Sequence, residues 1–593
     1  MGSGSQLPLE DGAPLWAKEL AESYLRGAAS VFLLHGNIHD LIPAKGSDFV
    51  PLERYLAAEV FGTRDVILSY DRGSGIRFLA PGDARRRGSM QQDFDKTLAA
   101  IDQVSGTRFA AARPRDPEVV FELLDRYILH KLAEEPSGPT GPSEKARKSL
   151  ALLIRYLETI TPAVEGAHLT GELGANLIKV LHWANDPTIR LADVTLALVT
   201  ENLGELHPRI SENPFISKIE IPLPEEAIRR RYAREALKKD EGAASAIARE
   251  SNGLTLVALS QAVGSALADG GEVDPEGLRQ AKKELIEKQC FGLVEFVAPE
   301  HGLSAVVTER AVKERLEQDV ELFRYGRFDA LPMGYLLCGA IGTGKTFTAT
   351  CFAGSLGIPA IVFKNLRSKW VGSSEGNLQK VLSVVKALGP VVVIIDEADA
   401  ALGTRALSGD SGTSSRMFAM ISSLMSDTRY RGRILWMLLT CRPDLLPVDL
   451  KRQGRCEVHI PLFPPSSEDD RREMFLALAK KAGTSIAREE VPPIPAGLSG
   501  ADIESLLVQS IRRAALSKAN APGAGVLKET LAHFRAPEYG LEKELQELVA
   551  IREATDASFV PEPLRNRYGS ADKAAALERR IQEILGLMGS AAR

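Results

Sequence analysis

Cysteine is scarce. Five occur in 593 residues, at positions 290, 338, 351, 441 and 456, and no two are spaced as CxxC. An odd set without paired spacing argues against a disulfide framework and for a reduced, cytoplasmic compartment. Long apolar runs are also missing. None reaches the ~18 residues of a membrane span, and the longest candidate, Val391 to Ile395, ends at Asp396 and reads as a buried strand. The start, MGSGSQLPLEDGAP, has neither a basic region nor an apolar segment, so no signal peptide is expected. A basic excess is lacking too. The formal net charge is −5 and the pI about 6.1, so no global field recruits nucleic acid. The run Arg85-Arg86-Arg87 reads as a solvated loop. What remains, 44% hydrophobic and 25% charged residues, is ordinary soluble composition. At ~100–200 residues per domain, the length suggests three to five domains.

Strand-like and helical stretches alternate from about Gly292 onward. Apolar runs at 335–338, 360–363, 391–395, 434–440 and 457–462 are separated by helical segments. That alternation predicts a parallel sheet with helices on both faces. In the first half, Val31 to Leu34 and "DVTLALVTENL" (193–203) read as strands, while "SLALLIRYLETI" fits a strand or a buried helix. "PSGPTGPS" (136–143) reads as a loop, and "AIRRRYAREALKK" (227–239) as a basic amphipathic helix with a solvated face. The chain also repeats itself. "VFLLHGN" (31–37) echoes "YLLCGAI" (335–341), "SKIEIPLPEEAIRRRYAREAL" (217–237) echoes "CEVHIPLFPPSSEDDRREMFLAL" (456–478), and "SNGLTLVALSQAVGSAL" (251–267) echoes "PAGLSGADIESLLVQSI" (495–511). Three echoes in one order argue for two copies of one module.

The second copy carries chemistry. Gly339-Ala340-Ile341-Gly342-Thr343-Gly344-Lys345-Thr346 fits GxxxxGK[ST] between a strand and a helix, with Phe347 next. Glycines there let backbone N–H groups turn toward phosphate oxygens, and the helix N-terminus adds a favourable dipole. Lys345 supplies positive charge to the terminal phosphates of ATP, and the Thr346 hydroxyl is placed for Mg²⁺. "VVVIIDEADA" (391–400) delivers two carboxylates to a strand's C-terminal edge. Asp396 suits Mg²⁺, directly or through water, and Glu397 suits activation of the attacking water.

These motifs resemble the AAA clade of the AAA+ ATPases, ring-forming motors that include many protein unfoldases. "LLTCRPDLLPVDLKRQGRCEVHIPLFPP" is similar to that clade's second region of homology. The resemblance implies that Arg452 and Arg455 are fingers that reach a neighbouring subunit's site and neutralise charge on the transferring phosphoryl. "GLSGADIESLL" (497–507) resembles the helical lid, in which Gly500 and Ala501 allow close approach to the nucleotide. "SKWVGSSEGN" (368–377) resembles the pore loop, which implies that Trp370, Val371 and Gly372 face a ring channel and grip unfolded chain. One position departs from the pattern. Cys441 stands where the family has an asparagine that senses the γ-phosphate, and a thiol is a weak donor. Slow hydrolysis with unaffected nucleotide binding is expected, with Thr440 as a candidate compensator. The resemblance covers about residues 295–530.

The first copy lacks these parts. After Gly36 comes Asn37-Ile-His-Asp, with no GK[ST]. Arg155 and Tyr156 stand where a DE pair would sit, and Leu256 and Val257 replace the small Gly-Ala of the lid. Aligning both copies on Ile-Pro-Leu sets Asn213 and Ile216 opposite the two fingers. His35 and His39 have no third ligand in reach and read as ordinary histidines.

The expected layout is a degenerate AAA-like α/β module over 1–275, with its lid part at about 222–275. A P-loop large subdomain over 276–465, a lid over 466–535 and a helical extension over 536–593 follow. The extension either prolongs the lid or docks a partner. Absence of HExxH separates the chain from the membrane-bound AAA zinc proteases, and no recognisable nucleic-acid-binding motif appears. The expected function is an ATP- and Mg²⁺-dependent homo-hexameric ring that remodels a protein substrate, with ring assembly and recognition of a substrate or adaptor as the roles of the first module. A nucleotide-gated scaffold with little turnover is the alternative.

Overall fold

The computed structural model describes residues 13–26, 29–46, 48–112, 114–133, 149–163, 171–191, 194–266, 273–364, 375–402, 413–519, 521–536, 540–568 and 571–591. These residues form two compact units. One comprises residues 1–289 with 373–387, and the other residues 290–372 with 388–593.

The first unit is built on β1 (Val31–Gly36), the hairpin β2 (Leu41–Pro43) and β3 (Phe49–Pro51), β4 (Val66–Asp71), β5 (Gly75–Phe78), β6 (Leu150–Ile154), β7 (Val194–Val199) and β8 (Ile216–Ile221). Six of these strands form one sheet, ordered β5-β4-β6-β7-β1-β8. All neighbours are parallel except β4 and β5. Every residue of β6 and β7 is buried, as both faces of a parallel sheet require. This settles "SLALLIRYLETI" as a strand followed by a turn. Alternate residues feed two cores. Leu33, Leu152 and Leu196 join Phe94, Phe121, Tyr127 and Trp183 on one face. Phe32, Leu34 and Leu153 join Trp16, Tyr55 and Phe61 on the other.

Helices Glu226–Glu235, Glu241–Glu250, Leu256–Ser265 and Pro275–Gln289 complete the unit. The last buries Leu278 and Ile286, which carries the unit past the expected boundary at 275. Arg229, expected on a solvated face, is instead 2% exposed. Its guanidinium donates to the carbonyls of Ala248 and Pro224.

The second unit holds β9 (Val294–Val297), β10 (Gly334–Cys338), β11 (Ala360–Phe363), β12 (Val391–Ile395), β13 (Ile434–Thr440) and β14 (Val458–Pro461). Their order is β14-β10-β13-β12-β11-β9, parallel except at β9. Read from β8 and from β14, the first five strands of the two sheets match in order and direction, while the antiparallel strand at the far edge differs, since β5 follows β4 in the chain and β9 precedes β10. Three lid helices follow, Glu468–Lys481, Gly500–Leu516 and Ala524–His533, around Phe475, Ile503, Leu506 and Leu507. A buried arginine pins this lid as well. Arg471 donates to the Ile494 carbonyl at 2.7 Å and the Ser466 carbonyl at 3.0 Å. The C-terminal helices Gly540–Glu553, Glu562–Tyr568 and Ala571–Ala591 share a core of Leu545, Val549, Leu577, Ile581 and Ile584 with Phe463.

Register refines the alignment of the copies. Leu34 pairs with Ile219, and Leu337 with Ile460. Ile219 is therefore the counterpart of Ile460, two positions from the Ile-Pro-Leu alignment, and Ser211 and Pro214 fall opposite Arg452 and Arg455 in place of Asn213 and Ile216. No arginine stands at either place under either alignment.

Candidate active site

The loop after β10 turns through Gly339 (φ 147°), Gly342 (φ 81°) and Gly344 (φ 83°), values that side-chain-bearing residues rarely adopt. A Cβ on Gly339 would lie 2.1 Å from the Leu462 carbonyl oxygen. Lys345 opens the helix Lys345–Leu356. Its Nζ donates to the Gly339 and Ala340 carbonyls at 2.9 and 3.0 Å and to Cys441 Sγ at 3.2 Å. Thr343 Oγ1 donates to the Ala340 carbonyl at 2.9 Å. The loop thus wraps its own lysine, and the helix N-terminus opens beside it, a ready anion site. Phe347 faces the lid, with Lys481 Nζ 5.1 Å from its ring centroid.

The carboxylates meet the loop at the C-terminal edge of β12. Thr346 Oγ1 donates to Asp396 Oδ2 at 2.8 Å, and the Glu397 N–H donates to Asp396 Oδ1 at 2.8 Å. Glu397 is exposed and sits at φ 48°, a left-handed conformation that costs a non-glycine residue about 1–2 kcal/mol. Thr440 Oγ1 donates to Asp399 Oδ1 at 2.6 Å and accepts from the Arg442 N–H at 2.9 Å. Asp399 was missed by the sequence reading, although it stands two residues beyond the carboxylate pair. The hydroxyl–carboxylate pair fits Mg²⁺, a hard cation usually held by one or two protein oxygens together with phosphate and water. Among the described residues no group of three or more His, Cys, Asp or Glu could hold a metal by itself.

The lid closes on the same loop. The Ala501 N–H donates to the Gly342 carbonyl at 3.2 Å. A Cβ on Gly342 would come within 2.7 Å of Ser499 Oγ, and one on Gly500 within 3.2 Å of the Gly342 oxygen. Ser499 and Asp502 form a reciprocal capping box that fixes where this helix begins.

The two arginines differ. The Arg452 side chain is 57% exposed and pairs with Asp449 at 3.3 Å. The Arg455 side chain is 12% exposed, and its guanidinium donates to the Asp449 carbonyl at 2.7 Å. Among the described residues neither guanidinium is hydrogen-bonded to the phosphate loop of the same chain. Trp370, Val371 and Gly372 lie outside the described residues.

The first unit repeats this frame with other chemistry. Gly36 (φ 95°) stands at the end of β1, where a Cβ would lie 2.7 Å from the Ile221 oxygen. Tyr156 (φ 54°) occupies the left-handed position of Glu397. Thr200 Oγ1 donates to Glu158 Oε2 at 2.8 Å, as Thr440 does to Asp399. Burial raises the Glu158 carboxyl above the usual range. Where Asp396 accepts from Thr346, Arg155 donates to Glu53 Oε2 at 3.1 Å. A cavity of about 160 Å³ remains there, lined by Leu52, Leu56 and Val199 together with Glu53, Arg155 and Tyr156 rather than by glycine amides. The loop itself offers a carboxylate. Asp40 accepts from the Leu256 and Val257 N–H groups at 2.9 and 3.1 Å. Those two residues begin the helix equivalent to Gly500–Leu516.

Residues 7–222 match the family described as "AAA+ chaperone, N-terminal Rossmann-like domain", and residues 227–291 the "AAA+ chaperone, second helical domain". Residues 335–463 match the "ATPase family associated with various cellular activities (AAA)". The chain is 30% identical over 226 residues to the cell division cycle protein 48 homolog of Archaeoglobus fulgidus, covering 36% of this chain and 31% of that one. It is 31% identical over 180 residues to Protein SAV of Sulfolobus acidocaldarius, covering 30% and 23%. With the ATP-dependent zinc metalloprotease FtsH 1 of Symbiobacterium thermophilum the figures are 30% over 210 residues, covering 33% and 35%. The chain thus spans about a third or less of the length of these relatives. No described helix is long and apolar enough to cross a membrane. With five parallel strands in one order in both sheets and a complete phosphate loop on the second alone, the chain belongs to the AAA+ ATPases, as a tandem whose first module has lost the catalytic set.

Proposed function

We propose that this chain is an ATP-hydrolysing motor of a cytoplasmic homo-hexameric ring that remodels proteins by drawing polypeptide through a central pore. The observation that carries the reading is the set at the edge of β12. Asp396 is hydrogen-bonded to Thr346 at 2.8 Å, and Glu397 is held exposed beside it. In this reading Lys345 leaves its carbonyl partners to contact the terminal phosphates. Thr346 and Asp396 hold Mg²⁺, and Glu397 orients the attacking water and takes its proton. Bound Mg²⁺ supplies charge neutralisation at the phosphate oxygens. Asp399 fixes Thr440 and with it the end of β13, where Cys441 faces Lys345. Gly500 and Ala501 bring the lid onto the loop. Arg452, the exposed arginine, reaches the next subunit's site, and Trp370 grips the client. Less client processed per ATP hydrolysed in Trp370→Ala is the test of threading.

The motor is tested by steady-state ATP turnover across protein concentrations, with Glu397→Gln alongside. Turnover that rises faster than concentration and vanishes in the variant supports catalysis shared between subunits. Tight binding with negligible turnover at every concentration supports a second reading, a nucleotide-gated scaffold. The contact of Lys345 with the Cys441 thiol at 3.2 Å favours that second reading, because a thiol positions water poorly.

A further inference from the structure

The helix Gly540–Glu553 follows the lid in the chain but touches the catalytic subdomain at three points. Gln546 Oε1 accepts from the Ile341 N–H of the phosphate loop at 3.1 Å. The Ala550 carbonyl lies 4.0 Å from Cys338 Sγ at the end of β10. Glu553 Oε1 accepts from Lys451 Nζ at 2.8 Å, directly before Arg452. The Glu553 backbone carbonyl and the Lys451 carbonyl also meet opposite nitrogens of the His459 ring, each at 3.1 Å. Positions 546, 550 and 553 are spaced i, i+4, i+7 and so share one helix stripe. At 1.5 Å per residue, the stripe spans about 10 Å. Gln546 is 3% exposed, and the Lys451 and Glu553 side chains are 13% and 14% exposed, so the contacts at both ends are shielded from water.

We infer that this helix is a strut joining a subunit's own phosphate loop to the arginine segment it offers its neighbour, with Gln546 and Glu553 as positioning residues at its two ends. A change in the loop that moves Ile341 is passed through Gln546 along a rigid helix to Lys451 and Arg452. By linkage, a change at Lys451 must alter nucleotide affinity at the loop. The direction of the signal rests on the proposed action of Arg452 in the next subunit. The strut itself lies within one chain.

The test uses the full chain and a fluorescent ADP analogue at protein concentrations too low for turnover to depend on concentration. Glu553→Gln keeps the shape of its side chain, weakens the pairing with Lys451, and touches nothing in the loop. It is expected to shift the analogue's Kd three- to tenfold. Gln546→Met, close in size but unable to accept from Ile341, is expected to shift it similarly. The double variant is expected to add little, because either change cuts the same strut. Gln546→Leu replaces Gln546→Met if the latter fails to fold. A Kd within twofold of the parent in Glu553→Gln, or fully additive shifts, overturns the inference. Loss of concentration-dependent turnover in the parent chain would instead remove the inter-subunit reading of Arg452 while the Kd shifts stand.

Discussion

Asp40 is the residue whose removal speaks most directly to the first module. It is 2% exposed. Its carboxylate accepts from Asn37 Nδ2 at 3.0 Å and from the Leu256 and Val257 N–H groups at 2.9 and 3.1 Å. Hydrogen bonds to a charged group contribute ~1.5–3 kcal/mol each, and a carboxylate at a helix N-terminus adds roughly 0.3–2 kcal/mol. These contributions overlap, so Asp40→Ala is expected to cost about 3–5 kcal/mol, most of it from two amide donors left without partners. Asp40→Asn keeps an acceptor but turns an NH₂ toward one of the amides, and is expected to cost about half as much. A chain of two units need not unfold in one step, so the measurement is hydrogen exchange resolved to the helix Leu256–Ser265. Protection there should fall by about two to four orders of magnitude in Asp40→Ala, while the helix Gly500–Leu516 keeps its protection. ATP with Mg²⁺ should raise protection at Gly500–Leu516 and leave Leu256–Ser265 unchanged, because an internal carboxylate already satisfies the amides of the first lid. Unchanged protection in Asp40→Ala, within about 0.5 kcal/mol, would refute the reasoning that the Asp40 carboxylate holds the start of the helix Leu256–Ser265.

Cys441→Asn should raise turnover three- to tenfold, with nucleotide affinity kept within about twofold, by giving the end of β13 an amide that can hold water; equal or lower turnover counts against a slow sensor. Arg452→Ala should lower turnover by ~10³-fold without changing the melting temperature, because its side chain is exposed. Arg455→Ala should lower the melting temperature as well, since its guanidinium holds the Asp449 carbonyl; equal melting temperatures for the two variants would refute that distinction. Burial lowers the Lys282 ammonium to about 8, below the ~10.4 of an unfolded chain. The unfolded state therefore binds more protons between those values, and stability rises with pH across that window. Lys282→Met should flatten that slope, read by calorimetry at pH 7 and 9.

The alternation of apolar runs was enough to read the five parallel strands β10 to β14, which are bounded by turns, but not the antiparallel edge strand β9, whose residues alternate between buried and half-buried. The phosphate loop and the carboxylate pair were legible because their residues are contiguous. β6 was ambiguous because a five-residue apolar run has no period that separates strand from helix. The two-residue shift between the copies was hidden because both alignments preserve the alternation along β8 and β14. Asp40 and Gln546 carried no sequence signal. Their partners lie 216 and 205 residues away, and a polar residue that meets its partner only in the folded chain leaves no local pattern. The burial of Arg229 was missed for the same reason, since its carbonyl acceptor Ala248 is brought to it by the next helix.

What the first module kept and what it lost divide along a physical line. It kept the glycine against the opposite carbonyl at Gly36, the left-handed residue at 156, the threonine–acid bond of Thr200 with Glu158, and the cap at Thr255. Each of these sets backbone geometry at the edge of a sheet or the start of a helix, and each acts whether or not a nucleotide is present. It lost the loop lysine, the Asp-Glu pair and the small lid residues, which matter only when phosphate is bound. The loss is not one substitution deep. Arg155 sits between Glu53 at 3.1 Å and Asp71 at 3.8 Å, and Arg77 shares the same two carboxylates at 2.8 and 3.4 Å. Arg155→Asp would gather three carboxylates around one guanidinium, an arrangement that repels itself, without restoring a hydroxyl or a phosphate loop. The ion pairs of the first module stand at the strand edge where the second module carries Asp396 and Glu397, and they form without a ligand.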